Sequence, residues 1–316
     1  MNLHRHLLML CAISLVGVGR AGAQQTIALV LAQRNSGFHQ AIACGARAAA
    51  RELGVRINVQ AAPVYSAVDQ IPLLNSVMAT APDAIVIDPA HATSLLAPLR
   101  EAARAGAKIV AVDTSINDPS ILSAVIATDN VAVGREAAEA LASLIGNRSG
   151  KVAMINSIPG ISTVDARIRG FEKAIEDYPN LTYIGNQFAG ENVPAAQSVF
   201  VSLMSANPDL VGVAALSNNP AMGVAAGIRA TGVAERVVAV AVDADEVEIA
   251  ALRGGFLDAL IIQRPYEMGY EGVTQAVAAV RGEPVETPIR TETVTATREN
   301  IDQPSVQMYL YRGNCI

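Results

Sequence analysis

Two aspartates occupy matching positions in the two halves of the sequence. Asp113 ends the segment 106–113 and Asp243 ends the segment 235–243, and in each case an apolar run leads to the acid. A carboxylate has two acceptor oxygens and forms charge-assisted hydrogen bonds with neighbouring hydroxyl groups. A single aspartate at the end of a strand is also a common helix cap or loop residue. Because both halves repeat the arrangement, we interpret Asp113 and Asp243 as ligand-binding groups.

Motifs for catalysis or cofactor binding are missing from the sequence. It has no P-loop, nucleophile elbow or metalloprotease motif. One dinucleotide-type glycine pattern, Gly17, Gly19 and Gly22, has no βα unit around it. After residue 23 the histidines are His39 and His91, and neither lies in a metal-ligand spacing. We therefore expect no metal, no cofactor and no enzymatic activity; an enzyme on the same scaffold is the remote alternative, and turnover would reveal it.

Short apolar runs alternate with longer amphipathic stretches after residue 23. The predicted strands are residues 26–32, 84–88, 108–113, 122–127, 151–156, 210–216, 237–243 and 257–263. The predicted helices are residues 38–53, 67–80, 94–105, 131–145, 163–177, 194–206 and 265–281. Nearly continuous apolar strands are typical of parallel sheets covered on both faces, so the pattern predicts an α/β protein with two doubly wound lobes. Ligands bind beyond the carboxyl ends of such strands, which would bring both aspartates to one cleft.

Composition and charge restrict the class of partner. Of the 316 residues, 51% are hydrophobic and 16% are charged, so most of the chain must be folded and buried. The formal net charge is −6, and no run of lysine or arginine interrupts this acidic balance. We therefore expect no binding to nucleic acid or to an anionic membrane surface.

The N-terminus has the three parts of a secretory signal peptide. His4, Arg5 and His6 precede an apolar run at residues 7–18, and Ala-Gly-Ala follows at 21–23. The run is too short to span a bilayer comfortably, so we expect cleavage before residue 24 and a soluble periplasmic protein; an uncleaved anchor is the alternative. In the periplasm the remaining cysteines, Cys44 and Cys315, could pair or stay free, and the sequence leaves both open.

Several short motifs follow one another in a recognisable order. They are TIALVLAQRNSGF at 26–38, ATDN at 127–130, RIRGF at 167–171, NPD at 207–209 and SNN at 217–219. Asp243 and Gln263 then lie 20 residues apart. In this order and spacing, residues 26–284 resemble the ribose-binding branch of the periplasmic sugar-binding proteins, which shares its fold with the effector domain of LacI-type repressors. A repressor would need a helix-turn-helix segment where this chain has its predicted export signal.

The resemblance implies a type I periplasmic binding protein, with two lobes that close around a ligand by a hinge motion. The N-terminal lobe would comprise residues 24–127 plus 264–291, and the C-terminal lobe residues 128–263 plus 292–316. Three strand crossings would join them near 127–130, 260–263 and 289–293. We expect a monomer whose closed form is recognised by the permease of an ABC importer. The alternative is a sensor of a sugar or an autoinducer-2-like diol that signals to a membrane chemoreceptor.

The resemblance also implies which residues bind the ligand. They are Phe38, His39, Asp113, Thr114, Asp165, Glu191, Asn218, Asp243 and Gln263. Phe38 matches a ring that packs on the sugar face, although a core position at a helix start is also compatible with it. Within residues 217–219, Asn218 is the preferred ligand residue.

Four of these residues depart from the ribose-binding pattern. His39 replaces a second aromatic, Thr114 an arginine, Asp165 another arginine, and Glu191 a second-lobe aromatic. The predicted site is therefore rich in acceptors, so ribose itself is not the expected ligand. A neutral sugar or polyol with many hydroxyl donors fits better than a sugar acid or phosphate, which the carboxylates would repel.

Overall fold

The computed structural model describes residues 24–311 and residue 315. The predicted signal peptide, residues 1–23, lies outside the described residues. Within them, none of the helices combines the length and the apolar character that a membrane span requires.

Strands and helices alternate along the described chain. The strands are β1 (Thr26–Leu31), β2 (Arg56–Ala61), β3 (Ala84–Ile87), β4 (Lys108–Val112), β5 (Ala124–Thr128), β6 (Gly150–Asn156), β7 (Leu181–Phe188), β8 (Leu210–Ala215), β9 (Val238–Val242), β10 (Ala259–Ile262), β11 (Ile289–Thr291) and β12 (Val294–Thr297). The helices are α1 (Gly37–Leu53), α2 (Ala67–Met78), α3 (Leu96–Arg104), α4 (Asn130–Ile145), α5 (Ser162–Ile175), α6 (Val193–Ala206), α7 (Asn218–Thr231), α8 (Glu246–Arg253), α9 (Pro265–Arg281) and α10 (Pro304–Gln307). A short 3-10 helix, Pro119–Ile121, precedes β5.

The strands form two six-stranded sheets with the same winding. The first has the order β11-β5-β4-β3-β1-β2, and all its strand pairs are parallel. The second has the order β12-β10-β9-β8-β6-β7, with β12 antiparallel to β10 and the other pairs parallel. Each is a doubly wound sheet, so the predicted α/β fold class is confirmed.

The extent of burial explains which strands could be predicted from the sequence. The central strands β3, β9 and β10 are buried along their whole length and read as continuous apolar runs. Strands β2 and β7 are at sheet edges and are only partly buried, so they carry polar residues and were absent from the predicted strands. A strand at a sheet edge needs less apolar character, because one side of its backbone and much of its surface meet solvent.

Glycines bring two helices together closely in each lobe. A Cβ on Gly45 of α1 would overlap the carbonyl of Tyr266 on α9, and a Cβ on Gly134 of α4 would overlap the carbonyl of Arg167 on α5. Since only glycine permits such backbone approach, both contacts are fixed by sequence. They hold α1 and α5 in place, and both helices begin at the gap between the lobes.

The lobes touch across this gap. The chain described here passes between them from β5 to α4, from β10 to α9 and from β11 to β12. The backbone N–H of Ser115 in the first lobe donates to Ser162 Oγ in the second, at 3.0 Å. A Cβ on Gly37 at the start of α1 would overlap the carboxylate of Asp245 from the second lobe. The structure is therefore a closed form with a cavity between the lobes.

Candidate functional site

Asp113 and Asp243 occupy equivalent backbone positions in the two lobes. Each directly follows the fourth strand of its lobe along the chain, β4 or β9. Their φ angles are 60° and 93°, and their backbone N–H groups donate to the carbonyls of Ile126 and Ile261 at 2.9 and 3.1 Å. A positive φ is unfavourable for residues other than glycine, but aspartate and asparagine tolerate it better than most. In both lobes this backbone conformation directs the aspartate side chain away from the sheet and towards the space between the lobes.

A cavity of about 70 Å³ lies between the lobes. Seven of the predicted ligand residues line it: Phe38, His39, Asp113, Glu191, Asn218, Asp243 and Gln263. A larger hollow of about 290 Å³ lies beside the residues that follow α10, which we call the C-terminal segment, but neither Asp113 nor Asp243 lines it. The interlobe cavity is therefore the candidate binding site.

The carboxylate of Asp113 is buried and incompletely satisfied. The residue is 8% exposed, and its Oδ1 has no hydrogen-bond partner. Burial and the nearby charge of Asp88 raise the pKa of Asp113, while the charges of Arg167 and His39 lower it, and together these effects leave the pKa at about 7. Near neutral pH this group can therefore exist with or without its proton, and a hydrogen-bond donor placed beside it would favour the ionised form.

The carboxylate of Asp243 is held by two neighbours. Its Oδ1 accepts hydrogen bonds from Gln263 Nε2 at 2.8 Å and from the Tyr311 hydroxyl at 3.0 Å. The Gln263 side chain follows β10, and its Oε1 is buried without a partner. Gln263 therefore presents an acceptor to the cavity while its amide orients Asp243.

His39 is fixed by the carboxylate of Asp88, which is not among the predicted ligand residues. Its Nε2 lies 2.9 Å from Asp88 Oδ2, and its Nδ1 is buried without a partner. Burial lowers the pKa of His39, but the hydrogen bond to Asp88 and the charge of that carboxylate outweigh it, so the pKa is raised. The protonated ring would offer Nδ1–H as a donor in the cavity.

Thr114, predicted to bind ligand, does not line the cavity. Its hydroxyl lies 2.6 Å from both Asp88 Oδ1 and the Pro89 carbonyl, and the residue is 1% exposed. Because the side chain following an outward-turned aspartate points back into the lobe, Thr114 supports Asp88 instead. It acts on the cavity through Asp88 and His39.

Asp165 also lies outside the cavity lining, and Arg167 takes its place there. On α5 the residues facing the cavity are Thr163, Val164 and Arg167, whereas position 165 falls on another side of the helix. The carboxylate of Asp165 accepts from the backbone N–H of Gly160 at 3.1 Å. The site thus keeps a guanidinium, although the resemblance to the ribose binders implied that their second-lobe arginine was replaced.

Arg167 is buried and oriented. Its Nε donates to Asn130 Oδ1 at 2.7 Å and its Nη1 donates to the Leu216 carbonyl at 2.8 Å. The guanidinium supplies a positive charge among the carboxylates and lowers the pKa of Asp113 by its charge. This partial compensation makes an acid-rich cavity tolerable and adds hydrogen-bond donors to it.

The loop before α7 offers a different side chain from the one preferred on sequence. Asn218 Nδ2 donates to Asp245 Oδ2 at 2.9 Å and to Glu248 Oε2 at 3.0 Å, which occupies both amide hydrogens. Asn219 Nδ2 donates to Glu191 Oε2 at 2.7 Å. Ser217 Oγ is buried, lines the cavity and has no partner. Within this loop the fully buried side-chain atom without a partner is therefore Ser217 Oγ.

Unpartnered polar atoms from both lobes converge on the cavity. Among the described residues that line it, they are His39 Nδ1, Asp113 Oδ1, Ser157 Oγ, Ser217 Oγ and Gln263 Oε1. A buried polar group without a partner costs about 1–3 kcal/mol. Such a concentration in one cavity suits a ligand with several hydrogen-bonding groups.

Comparison with known proteins agrees with this arrangement. Residues 27–284 match the model of a periplasmic binding protein domain. The chain belongs to the periplasmic binding protein family. The predicted resemblance to the ribose-binding branch is confirmed, because ribose and apiose import binding proteins are among the relatives of the chain, and these relatives are substrate-binding proteins and not enzymes.

Solved structures similar to this periplasmic binding protein contain sugars. An ABC transporter solute-binding protein from Agrobacterium vitis, bound to α-D-tagatopyranose, is 35% identical, with a TM-score of 0.89; the match covers 92% of this chain and 100% of that one. A carbohydrate transporter solute-binding protein from Agrobacterium radiobacter, in complex with D-arabinose, is 29% identical, with a TM-score of 0.87 and coverage of 91% and 99%. The D-apiose import binding protein of Actinobacillus succinogenes is 26% identical over 255 residues, or 81% of this chain and 82% of that protein. The type I fold is therefore established.

Several residues of this binding protein's site were missed from sequence. Asp88 had a usable signal, because it follows an apolar strand as Asp113 does. Arg167 stood in a recognised motif but was not assigned to the site. Tyr65 lines the cavity and Tyr311 donates to Asp243, but no sequence pattern indicated either, since one lies in a loop and the other near the C-terminus. In the described chain, no group of three or more potential ligands could hold a metal ion.

Proposed function

We propose that the protein binds one neutral monosaccharide or polyol in the interlobe cavity and delivers it to the permease of an ABC importer. The observation that carries the proposal is the set of unpartnered polar atoms that both lobes direct into one closed cavity. The sugar-bound relatives support the ligand class, because tagatose and arabinose are both neutral and rich in hydroxyl groups.

Each part of the site matches a part of such a ligand. Asp113 and the remaining oxygen of Asp243 would accept hydrogen bonds from sugar hydroxyls on opposite sides of the cavity. Gln263 and Ser217 would complete the polar contacts, while Glu191 adds a further acceptor. Phe38 is 5% exposed and packs edge-on against Tyr311, with ring centroids 5.6 Å apart, so it offers limited apolar surface to the sugar C–H face.

Arg167 does not change the expected charge of the ligand. Its guanidinium already binds Asn130 and Leu216, and it faces the carboxylates of Asp113, Asp243 and Glu191. An additional carboxylate or phosphate on the ligand would meet more negative than positive charge in the same cavity. We therefore propose that sugar acids and sugar phosphates bind more weakly than their neutral counterparts.

Binding would use the lobes as a clamp. The lobes touch in this closed form and leave a cavity of about 70 Å³, so the ligand would enter when the lobes separate at the three crossings. The contact between Ser115 and Ser162 joins the two lobes and would form on closure. Family membership supports periplasmic location and capture for an ABC permease, and we propose that the closed, sugar-filled form is the one delivered.

A thermal-shift panel tests this function. We expect the chain from residue 24 to be stabilised by at least one neutral sugar among D-tagatose, D-arabinose, D-fucose, D-apiose, D-ribose and common polyols. A ligand at 100 times its Kd adds about 2.7 kcal/mol to the unfolding free energy. D-Galacturonate and ribose 5-phosphate serve as charged controls. Stabilisation by the charged compounds alone, or by none of the neutral ones, would refute the proposal. Delivery is tested separately by comparing uptake of the bound sugar in cells with and without the gene, where we expect reduced uptake in the cells that lack it.

A further inference from the structure

The C-terminal segment returns to the binding cavity after α10. Tyr311 is 2% exposed, and its backbone N–H donates to the carbonyl of Ala244 at 3.2 Å. Its ring packs edge-on against Phe38 of α1. The segment therefore touches the second lobe through its backbone and the first lobe through its ring, directly behind the proposed sugar site.

The Tyr311 hydroxyl connects two proposed ligand residues. It donates to Asp243 Oδ1 at 3.0 Å and accepts from the backbone N–H of Gln263 at 3.2 Å. Burial, together with the charge of Asp243, raises the pKa of Tyr311 well above its usual value, so the hydroxyl keeps its proton. At neutral pH it is therefore a hydrogen-bond donor to Asp243.

This contact gives the two oxygens of the Asp243 carboxylate different roles. Oδ1 is occupied by Tyr311 and by Gln263 Nε2, whereas Oδ2 has no hydrogen bond among the described residues. Oδ2 is thus the oxygen left for a sugar hydroxyl. Two bonds on one oxygen fix the plane of the carboxylate, which reduces the side-chain entropy lost when a ligand binds.

A disulfide attaches Cys315 of the same segment to the first lobe. Cys315, four residues after Tyr311, is bonded to Cys44 of α1, with their Cα atoms 5.2 Å apart. Helix α1 also carries Phe38 and His39 at its beginning. The segment is therefore attached to the first lobe near the residues that line the cavity, and Tyr311 lies between that attachment and α10.

We propose that Tyr311 is a positioning residue that orients Asp243 and Gln263 for the ligand, and that the Cys44–Cys315 disulfide keeps it in place. The inference rests on the proposed sugar-binding function and assigns a role within the same site to a part of the chain outside its family-matched region, residues 27–284. It makes the C-terminal segment part of the binding apparatus.

Tyr311→Phe tests the hydroxyl. The ring and its packing are kept, so we expect a folded protein whose calorimetric Kd for D-tagatose or D-arabinose rises about tenfold, because the Asp243 carboxylate must then be ordered when the ligand binds. Tyr309→Phe is the matched control in the same segment; its ring lies under Arg264, 4.4 Å from the guanidinium, and we expect less than about a twofold change.

A panel of monodeoxy sugars separates positioning from general support. The rise in Kd caused by Tyr311→Phe should vanish for the one derivative that lacks the hydroxyl bound by Asp243. For the other derivatives the rise in Kd should persist. A penalty equal for all derivatives would show mere structural support and would overturn the positioning role. An unchanged Kd in Tyr311→Phe would overturn the inference as a whole.

The double variant Cys44→Ser/Cys315→Ser tests whether the disulfide keeps Tyr311 in place. We expect a similar rise in Kd, and little further rise when Tyr311→Phe is added, because both changes release the same contact. Wild-type affinity in the serine variant would overturn the role of the disulfide. If the wild-type protein binds no sugar of the panel, the proposed function fails and the inference fails with it; sugar binding that none of these variants weakens contradicts the inference alone.

Discussion

The Asp113→Asn variant is expected to bind the sugar at least about a hundredfold more weakly than the wild type. Each charge-assisted hydrogen bond is worth about 1.5–3 kcal/mol, and a hundredfold loss corresponds to about 2.7 kcal/mol. Asparagine preserves the size of the side chain and tolerates the φ of 60° at this position. The loss would therefore reflect the missing carboxylate and not a disturbed backbone.

Asp165→Asn is the matched control for this substitution. Asp165 was predicted to bind ligand, but it lies outside the cavity lining and bonds to Gly160. Isothermal titration calorimetry with both variants decides between the sequence-based and the structure-based assignment. Equal losses would restore Asp165 to the site, whereas unchanged affinity in Asp113→Asn would remove Asp113 from it.

Sugar affinity is expected to rise with pH, by about tenfold from pH 5 to 6 and by about fivefold from pH 6 to 7. Burial raises the pKa of Asp113 to about 7, so only a small fraction of the ligand-free protein has the ionised carboxylate at about pH 5. If sugar hydroxyls bind the ionised form, the apparent affinity is reduced by that fraction, and binding releases a proton. Calorimetry at pH 5, 6 and 7 measures the slope.

Other groups around the cavity titrate in the same range. Burial and the charge of Asp243 raise the pKa of Asp245 to about 6, and the pKa of His39 is raised through Asp88. Asp113→Asn should flatten the pH profile if Asp113 controls it. Asp118→Asn should leave the profile unchanged, because hydrogen bonds from Ser120 and Arg100 hold that pKa at about 2. A flat wild-type profile would contradict the role of Asp113.

The ligand-free protein should show the opposite trend in stability. An acid whose folded pKa is raised binds more protons when folded than when unfolded, so the free energy of unfolding falls as pH rises between the two pKa values. For Asp113 this window runs from 3.8 to about 7. The raised pKa of His39 acts in the same direction, since its contribution is present at low pH and lost as the ring deprotonates. The sugar-induced thermal shift should therefore grow with pH.

Local sequence patterns were sufficient for the architecture and for the two strand-end aspartates. Continuous apolar runs marked the buried strands, and the repeat of an apolar run ending in an acid placed Asp113 and Asp243 on the sheet rims. The edge strands β2 and β7 were not predicted, because they are only partly buried and therefore contain no continuous apolar run. The pattern reports burial, so it is weakest where burial is incomplete.

The orientation of side chains needed the three-dimensional structure. Asp165 and Arg167 are two residues apart, yet the turn of α5 places only Arg167 in the cavity. Thr114 follows Asp113 directly and faces the other way, towards Asp88. Tyr311 is held near the site by a disulfide between cysteines 271 residues apart in sequence, whose pairing the cysteines alone left open.

The central claim is that carboxylates from both lobes bind one sugar in the interlobe cavity. A crystal structure with the tightest-binding sugar of the panel tests it most directly. We expect sugar hydroxyls within about 2.5–3.0 Å of Asp113 Oδ1 and of Asp243 Oδ2 in the closed form, with Tyr311 still bonded to Oδ1 of Asp243. A sugar bound elsewhere, or held in the cleft without contact to either aspartate, would contradict the account.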